Sequence, residues 1–402
     1  MLEEEKRLPA LKIKISTLFM IIYCFVMFVP GYFSNAGIKL LSNVMMAIAA
    51  LFLLRRKYKP NKFIVLTSIY LLYLMIMTYI NRTNAADIHL IISYCKIFFF
   101  LGVFDYMLKN NQANAVNIMF YILLLFVSLD FFSIILFPNG LYHTSLTWNE
   151  WSTSQEAQWI YGNKNNRIYW YIMLLMTAWE RYVLNGKSKI WPTLISIGTI
   201  IAMMIVKSST ATTVAIVVGT GILISIYKKK EIRFSINSYL LVGICTMVTI
   251  LVLAGSTGFL KIVVEGIFHK DMTFSNRSQV WQQVILLIAQ KPFWGWGIVD
   301  DKAATGLLGS LTYVNAHNQF LNCLWQGGIV LICILGGIIL CTARNINAIV
   351  SDRYKLVFEC VLVGLMIDMM FEVIMGTTAT WGCLLLLNSI HLFLEKQEDL
   401  FY

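Results

Sequence analysis

Long apolar runs are the feature of this sequence that most restricts its fold. Twelve can be placed, each near the length of about 20 residues that a helix needs to cross a bilayer. They lie at residues 16–33, 36–54, 63–80, 88–108, 116–137, 168–184, 190–206, 210–227, 236–254, 320–342, 356–375 and 378–394. Because 58% of the residues are hydrophobic and 13% are charged, a soluble domain is excluded. We predict an all-α polytopic membrane protein, with one integral membrane domain over residues 1–402.

Basic residues are distributed unevenly among the loops between these runs. The loops that contain RRKYKPNK, NGKSK, KKKEIR and RNINAIVSDRYK fall on the same side as the N-terminus. If that side is cytoplasmic, 21 of the 32 Lys and Arg residues lie inside, 10 lie outside, and Lys96 lies within a span. The positive-inside rule therefore predicts that both termini are cytoplasmic. No small-residue cleavage site follows the charged N-terminal segment, which indicates an uncleaved anchor.

The eight cysteines all lie in apolar runs, and none forms a CxxC pair. This pattern predicts neither a disulfide framework nor a zinc site, but small buried side chains. A pair of acidic residues, Asp300 and Asp301, could hold a metal ion, although a solvated loop pair is the simpler interpretation. We predict no metal and no cofactor.

Two loops are much longer than the others, and both lie on the predicted outer side. They comprise residues 138–167 and residues 255–319. Long loops on one side of a rigid scaffold are common places for binding and catalytic residues. We therefore expect the function to reside at the outer face, in particular in the loop 255–319.

The segment NRSQVWQQVILLIAQKPFWGWG, residues 276–297, differs from the apolar runs around it. Its apolar residues recur at helical spacing, its glutamines fall mostly on the other side, and Pro292 ends the pattern. The spacing predicts a helix of about 14 residues, too short to span and suited to the membrane interface. Ser275 or Asn276 can cap its start.

Arg277 occupies the first turn of this predicted helix. Free backbone N–H groups and the positive end of the helix dipole favour an anion there, and a guanidinium can bind phosphate oxygens through two hydrogen bonds. The alternative is that Arg277 extends to lipid headgroups. Further along the same loop, His317 and Asn318 stand at the entry to the next span, so His317 is a candidate acid or base near an anion.

Several polar residues fall inside or beside the apolar runs. Asp368 and Glu372 lie four residues apart on one face of the eleventh run, and Asp130 lies in the fifth. Acids within a membrane are costly, so each is either functional or paired with a structural partner such as Lys96. The aromatic residues of LTWNEWSTSQEAQWIY, residues 146–161, either stack on sugars or form an interfacial belt.

Three motifs resemble one known family. The loop 255–319 and the start of the next span resemble the outer-loop signature of the O-antigen ligase and polysaccharide polymerase superfamily in four features. These are the arginine at the helix start, a Trp four residues later at Trp281, P-x-x-G-x-G with Gly295 and Gly297, and HNxxL followed by GG. YGNKNNRIYWYIMLL, residues 161–175, is similar to the family's Gly-Asn-x-Asn motif. KSSTATTVAIVVG, residues 207–219, lies where the family usually has a Ser-Arg or Thr-Arg pair at the top of a span, but this chain has no arginine near Thr210.

The resemblance implies a multi-spanning glycosyltransferase of GT-C-like architecture, whose large outer loop contains short amphipathic helices. Such enzymes act on polyprenyl-diphosphate-linked oligosaccharides at the outer face of the bacterial cytoplasmic membrane, without metal or cofactor. Carried onto this chain, the resemblance makes Arg277 the group that stabilises the departing diphosphate and His317 the general base, with Glu372 as the alternative base. The expected substrate-binding residues are Arg167, Lys207, Asn163, Asn165, Asn318, Trp281, Gly295 and Gly297.

The resemblance leaves the acceptor open. We favour a polymerase that joins lipid-linked repeat units of a capsule, O-antigen or exopolysaccharide, because the chain is rich in Lys, Ile and Asn and has 6 prolines. This composition is typical of AT-rich genomes, common among capsulated bacteria without lipopolysaccharide. The alternatives are a ligase that uses another acceptor and a flippase or exporter of the same glycan. The expected partners are the lipid-linked oligosaccharide, the bilayer, a flippase and a chain-length regulator, but no nucleic acid.

Overall fold

The protein is described by a computed structural model that covers residues 15–81, 87–149, 152–228, 236–253, 277–310 and 312–389. Within these ranges the chain forms thirteen α-helices and one two-stranded sheet. The helices are α1 (Ile15–Phe28), α2 (Ala36–Arg55), α3 (Lys62–Ile80), α4 (Asp87–Leu136), α5 (Ile168–Asn185), α6 (Ile190–Ile205), α7 (Ser209–Tyr227), α8 (Ser238–Leu253), α9 (Arg277–Gln290), α10 (Asp301–Leu308), α11 (Gln319–Asn347), α12 (Asp352–Phe371) and α13 (Thr378–Asn388).

The prediction of a helical membrane protein is confirmed. Among the described residues, five helical segments are long and apolar enough to cross a bilayer, namely Ala36–Arg55, Lys62–Ile80, His89–Leu136, Ser209–Tyr227 and Gln319–Asn347. Each of the twelve predicted spans overlaps a helix, and α4 contains two of them. The count of twelve crossings and the GT-C-like architecture remain predictions.

Helix α4 is continuous except for a break at Asn111, whose φ of −158° and ψ of 68° are not helical. The Asn111 side chain accepts a hydrogen bond from the backbone N–H of Asn114 at 3.4 Å, as an N-cap residue does. Near the break, Lys109 pairs with Asp105 at 2.6 Å and also donates to the carbonyl of Lys59. These contacts join the middle of α4 to the loop between α2 and α3.

The helices form a bundle in which α4 packs on α5, α7 packs on α6 and α12, and α11 packs on α3. The main core is buried between these helices, and its largest side chains include Trp179 and Trp381. Large apolar side chains are exposed along α2, α3 and α8, as expected where lipid covers a helix.

The predicted outer loop 138–167 contains a β-hairpin that the sequence did not indicate. Strands β1 (Tyr142–Asn149) and β2 (Ser152–Gln158) pair antiparallel, with Tyr142 opposite Gln158 and Thr147 opposite Thr153. The hairpin is held at its base, where Leu141 N–H donates to the Gln158 carbonyl at 2.8 Å and the Trp159 indole donates to the Phe137 carbonyl at 2.8 Å.

Helix α9 confirms the predicted short amphipathic helix of 14 residues. Val280, Trp281, Val284 and Leu287 are buried, whereas Gln282, Gln283 and Gln290 are exposed. The buried face packs on α10 and α11 in a second, smaller core that includes Trp325. Whether α9 lies at a membrane interface remains a prediction, and the predicted cap residues Ser275 and Asn276 lie outside the described residues.

The segment after α9 docks on a break in α11. Gly328 there has a φ of 61° and a ψ of −159°, and a Cβ on it would lie 2.3 Å from the Phe293 carbonyl carbon. Backbone N–H groups at this break and at the turn around Trp296 form hydrogen bonds between the turn and α11. Trp296 N–H donates to the Trp325 carbonyl at 2.9 Å, and Ile329 N–H donates to the Pro292 carbonyl at 2.8 Å. The 292–297 turn is therefore part of the packed structure.

Candidate active site

Two residues from distant parts of the chain meet at one end of the bundle. Nδ1 of His317, in the turn before α11, lies 3.2 Å from Oε2 of Glu372, which ends α12. Their side chains are 23% and 10% exposed, so the pair is largely buried while the histidine keeps access to solvent. We call the end of the bundle where these two residues meet the site end.

The two residues that follow His317 hold the segment around Glu372. Asn318 caps α11 through its Oδ1 atom, 2.9 Å from the Leu321 nitrogen, and its Nδ2 group donates to the Met370 carbonyl at 2.9 Å. Gln319 accepts hydrogen bonds from the backbone N–H groups of Ile374 and Met375, both at 2.9 Å. Residues 317–319 thus contact both the Glu372 side chain and the backbone on either side of it.

Glu372 is contacted from a second direction by the segment before α5. The Asn165 side chain donates from Nδ2 to Oε1 of Glu372 at 2.8 Å, and its Oδ1 accepts from the Ser208 hydroxyl at 3.0 Å. The Asn163 side chain in turn accepts from the backbone N–H groups of Asn165 and Asn166, at 3.1 and 3.2 Å. The predicted Gly-Asn-x-Asn motif therefore forms a turn that places the Asn165 amide against the carboxylate.

The contacts of the buried Arg167 argue against its predicted role as a phosphate-binding cation. Its Nη1 atom lies 3.0 Å from Oδ2 of Asp130, and both side chains are 0% exposed. Nη2 donates to the carbonyls of Gly162 and Asn163, and the guanidinium lies 4.7 Å from the centre of the Trp159 ring. The guanidinium is paired with Asp130, and this contact favours the structural interpretation of Asp130.

The same ion pair fixes the turn that carries Asn165. Asp130 also accepts from the Tyr161 backbone N–H at 3.0 Å and from the Tyr171 hydroxyl at 2.9 Å. Burial raises the pKa of the Tyr161 phenol well above its ordinary value, and the nearby Asp130 carboxylate acts in the same direction. Tyr161 is therefore neutral beside the ion pair.

Residues 194–373 match the family model described as O-antigen ligase. This segment, a little under half of the chain, is similar to the O-antigen ligase family. The match confirms the resemblance to the O-antigen ligase and polymerase superfamily. His317, Glu372 and Ser208 lie inside the matched segment, whereas Asn165 precedes it. No curated protein matches the chain.

Within the segment that matches the family model, Trp281 lies close to His317 and holds the residue before it. It is 5% exposed, and its indole N–H donates to the Ala316 carbonyl at 2.9 Å. His317 has a φ of 44°, which is unusual for a residue with a side chain, and its N–H donates to the Asn315 side chain at 2.8 Å. The buried ring and the bonded N–H of Trp281 indicate a packing role, and its contact with substrate stays a prediction.

The two glycines of P-x-x-G-x-G are required by close backbone approaches. Gly295 and Gly297 have φ angles of 71° and 74°. A Cβ on Gly295 would lie 2.4 Å from the Gly327 nitrogen, and one on Gly297 would lie 2.6 Å from the Thr78 Cα atom. Packing of the turn on α3 and α11 explains why both positions are glycine. The binding of substrate by these glycines stays a prediction.

The remaining predicted residues are less closely connected to the pair. Lys207 is exposed in the turn between α6 and α7, beside Ser208, and has a φ of 56°. Helix α9 begins at Arg277, but its side chain lies outside the described residues. The phosphate-binding roles of Arg277 and Lys207 therefore stay predictions.

The alternatives raised for the acidic residues can now be compared with the structure. Glu372 contacts His317 and Asn165, not the suggested partner Lys96. Asp300 caps α10, its Oδ1 atom lying 3.0 Å from the Ala303 nitrogen, which accounts for it without a metal ion. In the described part of the chain, His, Cys, Asp and Glu form no group of three that could hold a metal.

Two residues of the site were missed in the sequence analysis. Ser208 precedes an apolar run as an N-cap residue does, which would have identified a helix start but not its contact with Asn165, 43 residues away. Gln319 stands next to the predicted His317 and Asn318, but a glutamine at a helix start carries no sign of its partners at Ile374 and Met375.

Proposed function

We propose that this protein is a polymerase that joins repeat units of a surface polysaccharide on a polyprenyl-diphosphate carrier. The observation that carries the proposal is the contact between His317 and Glu372 inside the ligase-family segment. A glycosyl transfer from a lipid diphosphate to a sugar hydroxyl needs a base for the hydroxyl proton, and a histidine oriented by a carboxylate is suited to that role.

In the proposed reaction, the acceptor hydroxyl oxygen attacks the anomeric carbon of the donor sugar. The new C–O bond forms as the bond from that carbon to the diphosphate oxygen breaks, and the diphosphate leaves with the bonding electrons. Nδ1 of His317 faces Glu372, so its Nε2 atom is the nitrogen available to take the hydroxyl proton. Glu372 then stabilises the imidazolium, as an orienting carboxylate does in other acid–base pairs.

Negative charge that develops on the departing diphosphate needs fixed positive groups. The start of α9 offers backbone N–H groups, and Arg277, its first residue, adds a guanidinium. The buried face of α9 ties its start to the rest of the site, since Trp281 lies one turn from Arg277 and is bonded to Ala316, next to His317. Lys207, in the turn beside Ser208, is a second cation for the same anion.

The proposed location is the bacterial cytoplasmic membrane, with both termini in the cytoplasm and the site end outside. The basic loops lie at the other end of the bundle, where Arg353 donates to the Lys228 carbonyl at 2.6 Å and Lys109 donates to the Lys59 carbonyl at 3.4 Å. Positive loops at that end support a cytoplasmic position for it. No nucleotide sugar is present outside the membrane, so an undecaprenyl diphosphate carries the activated glycan.

Specific observations bear on two alternative functions, a ligase and a flippase or exporter. A ligase would use the same histidine and the same donor with a different acceptor, and the matched family is described by that activity. A flippase or exporter would require polar groups along a path through the bundle. Among the described residues, Ser208, Asn165, Glu372 and His317 form a connected polar cluster at the site end, which favours a transferase.

The decisive experiment uses the purified protein in detergent with a polyprenyl-diphosphate repeat unit, without nucleotide or divalent metal. Wild-type protein is expected to convert single repeats into a ladder of longer chains on a gel. The His317→Asn variant is expected to give no ladder, whereas His143→Asn, which changes an exposed histidine of β1, is expected to retain it.

Other outcomes separate the alternatives. Transport of the donor across a vesicle membrane without elongation would exclude an enzyme and favour an exporter. A wild-type protein that extends no chain on a lipid-linked acceptor but transfers the glycan to another acceptor would be a ligase. Deletion of the gene is expected to leave single repeats on the cell surface, whereas loss of all surface glycan would contradict a polymerase.

A further inference from the structure

Ser208 is a buried hydroxyl at the site end that lies too far from His317 along the chain for sequence reasoning to connect them. It is the N-cap residue of α7, and its oxygen accepts from the Ala211 backbone N–H at 3.4 Å. The same oxygen lies 3.0 Å from Oδ1 of Asn165. Because the lone pair is directed at the helix N–H group, the hydroxyl hydrogen is free to point at the Asn165 amide.

These contacts fix the direction of the hydrogen bonds from Ser208 through Asn165 to Glu372. Ser208 donates to Oδ1 of Asn165, so the amide nitrogen of Asn165 faces Glu372 and donates to Oε1. A reversed amide would place an oxygen against the carboxylate and a nitrogen against the serine hydroxyl, and would lose the donation to Glu372. The amide orientation is thus set by a serine that touches neither member of the catalytic pair.

Glu372 is contacted at both of its oxygens. Asn165 donates to Oε1 at 2.8 Å, and Nδ1 of His317 lies 3.2 Å from Oε2. The hydrogen bond donated by Asn165 favours the ionised carboxylate. An ionised Glu372 accepts the proton on Nδ1 of His317, which leaves the Nε2 lone pair for the acceptor hydroxyl.

We propose that Ser208 and Asn165 are positioning residues that set the tautomer of His317 through Glu372. The inference rests on the proposed function, because it assigns His317 Nε2 as the base of that reaction. It adds two residues with no assigned role in catalysis. Asn165, expected from the resemblance to bind substrate, acts here on the carboxylate, and Ser208 acts on Asn165.

The first test measures kcat and KM in the ladder assay for Ser208→Ala, Asn165→Ala and the double variant. Because a misplaced catalytic group can cost about 100-fold, we expect each single variant to lose at least about tenfold in kcat with KM within about twofold. If Ser208 acts through Asn165, the double variant is no slower than Asn165→Ala alone. Independent, multiplying losses would overturn the inference.

Two further variants separate positioning from helix capping and folding. Ser208→Thr keeps both the donor and the cap and is expected to restore kcat to within about threefold of wild type. Ser188→Ala removes a hydroxyl that accepts from the Ile190 backbone N–H at 3.2 Å, outside the site end, and is expected to leave kcat unchanged. A Ser208→Thr variant as slow as Ser208→Ala would contradict the proposal.

A second measurement needs no turnover and so keeps the inference separate from the proposed function. The chain has five histidines, and the ¹⁵N shifts of His317 can be assigned by comparison with His317→Asn. We expect a neutral imidazole protonated at Nδ1 in wild type and Ser208→Thr, and a mixture of tautomers in Ser208→Ala. The same tautomer in all three proteins would overturn the inference, whereas a missing wild-type ladder with these shifts would defeat only the polymerase.

Discussion

Oε2 of Glu372 lies 3.2 Å from Nδ1 of His317, although 55 residues separate the two positions in the chain. The contact forms because α11 begins where α12 ends, and because Asn318 and Gln319 bind the backbone at Met370, Ile374 and Met375. The two candidate bases of the sequence analysis are therefore one unit. In the proposed reaction, Glu372 is the residue that orients the imidazole and His317 is the base for the acceptor hydroxyl.

Substitution of the pair is expected to be non-additive. A positioned base contributes about 10²–10⁴-fold, so His317→Asn is expected to lose that range in kcat. Glu372→Gln keeps the volume but loses the charge, and is expected to lose about 10–100-fold. The double variant should be no slower than His317→Asn, because the residues act together.

Glu156→Gln is the matched control for this pair, since Glu156 lies in β2 and accepts from Gln158 at 2.9 Å. It is expected to retain the wild-type kcat. Initial rates of chain extension measure all four variants. If Glu372→Gln alone abolishes activity while His317→Asn retains it, then Glu372 is the base and the assignment here is wrong.

Substitution of Arg167 in its buried pair with Asp130 is expected to lower the stability of the protein, not its affinity for substrate. Both side chains are 0% exposed, so Arg167→Met leaves a buried carboxylate without its partner, at a cost of about 3–5 kcal/mol. The double variant Arg167→Met/Asp130→Leu removes both charges and is expected to recover most of this loss. Thermal unfolding in detergent measures the stability. A double variant that is stable but has a strongly raised KM for the donor would instead support the predicted phosphate-binding role of Arg167.

Much of the helical framework could be predicted from the sequence, because apolar runs of spanning length have few alternative structures in a membrane protein. α9 could be predicted as well, since the spacing of Val280, Trp281, Val284 and Leu287 allows one buried face. The continuity of α4 could not, because Lys109 and Asn111 look like a loop in sequence while helical bonding continues around them. The β-hairpin gave no signal either, since its strands have no strict alternation of apolar and polar residues.

The members of the site were easier to predict than their contacts. Glu372 is a polar group in an apolar run, and such a group stands out in a membrane sequence. His317, Asn165 and Arg167 were recognised from their motifs beside the spans. Their pairing depends on how helices far apart in the chain come together, as for Asn165 and Glu372, which are 207 residues apart. This is why Arg167 was predicted as an anion-binding group, while its actual partner, Asp130, was considered separately.

The glycines around the break in α11 give a prediction about folding. Gly295→Ala and Gly328→Ala place a Cβ within 2.4 Å of a backbone atom and also require an unfavourable positive φ, so each is expected to destabilise the protein by about 1–3 kcal/mol or more. Gly306→Ala, inside α10 with no atom within 4 Å of the new Cβ, is expected to be stabilising by about 0.5–1 kcal/mol. The yield of folded protein and the thermal unfolding midpoint measure both. Normal stability with a raised donor KM in Gly295→Ala would support the substrate-binding role instead.

Substitution of Gln319 tests how strongly the segment around Glu372 depends on its hydrogen bonds to α11. Gln319→Met fills a similar volume but leaves the backbone N–H groups of Ile374 and Met375 without their acceptor, and a buried unsatisfied donor costs about 1–3 kcal/mol. We expect lower thermal stability together with a lower kcat, since Glu372 lies in the same segment. Gln290→Met, on the exposed face of α9, is the control and should change neither. Equal stability of the two variants would show that the segment is held by other contacts.

Variants of Arg277 distinguish two roles for this residue, stabilisation of the departing diphosphate and attachment to lipid headgroups. Removal of one group that stabilises a developing anion costs about 10²–10³-fold in kcat, so Arg277→Ala is expected to fall in that range. Arg277→Lys keeps the charge but loses the paired donors of the guanidinium, and is expected to recover only part of the rate. Lys302→Ala removes an exposed cation of α10 and is the control, with kcat unchanged. If Arg277 only contacted headgroups, lysine would restore the full rate and Arg277→Ala would resemble Lys302→Ala.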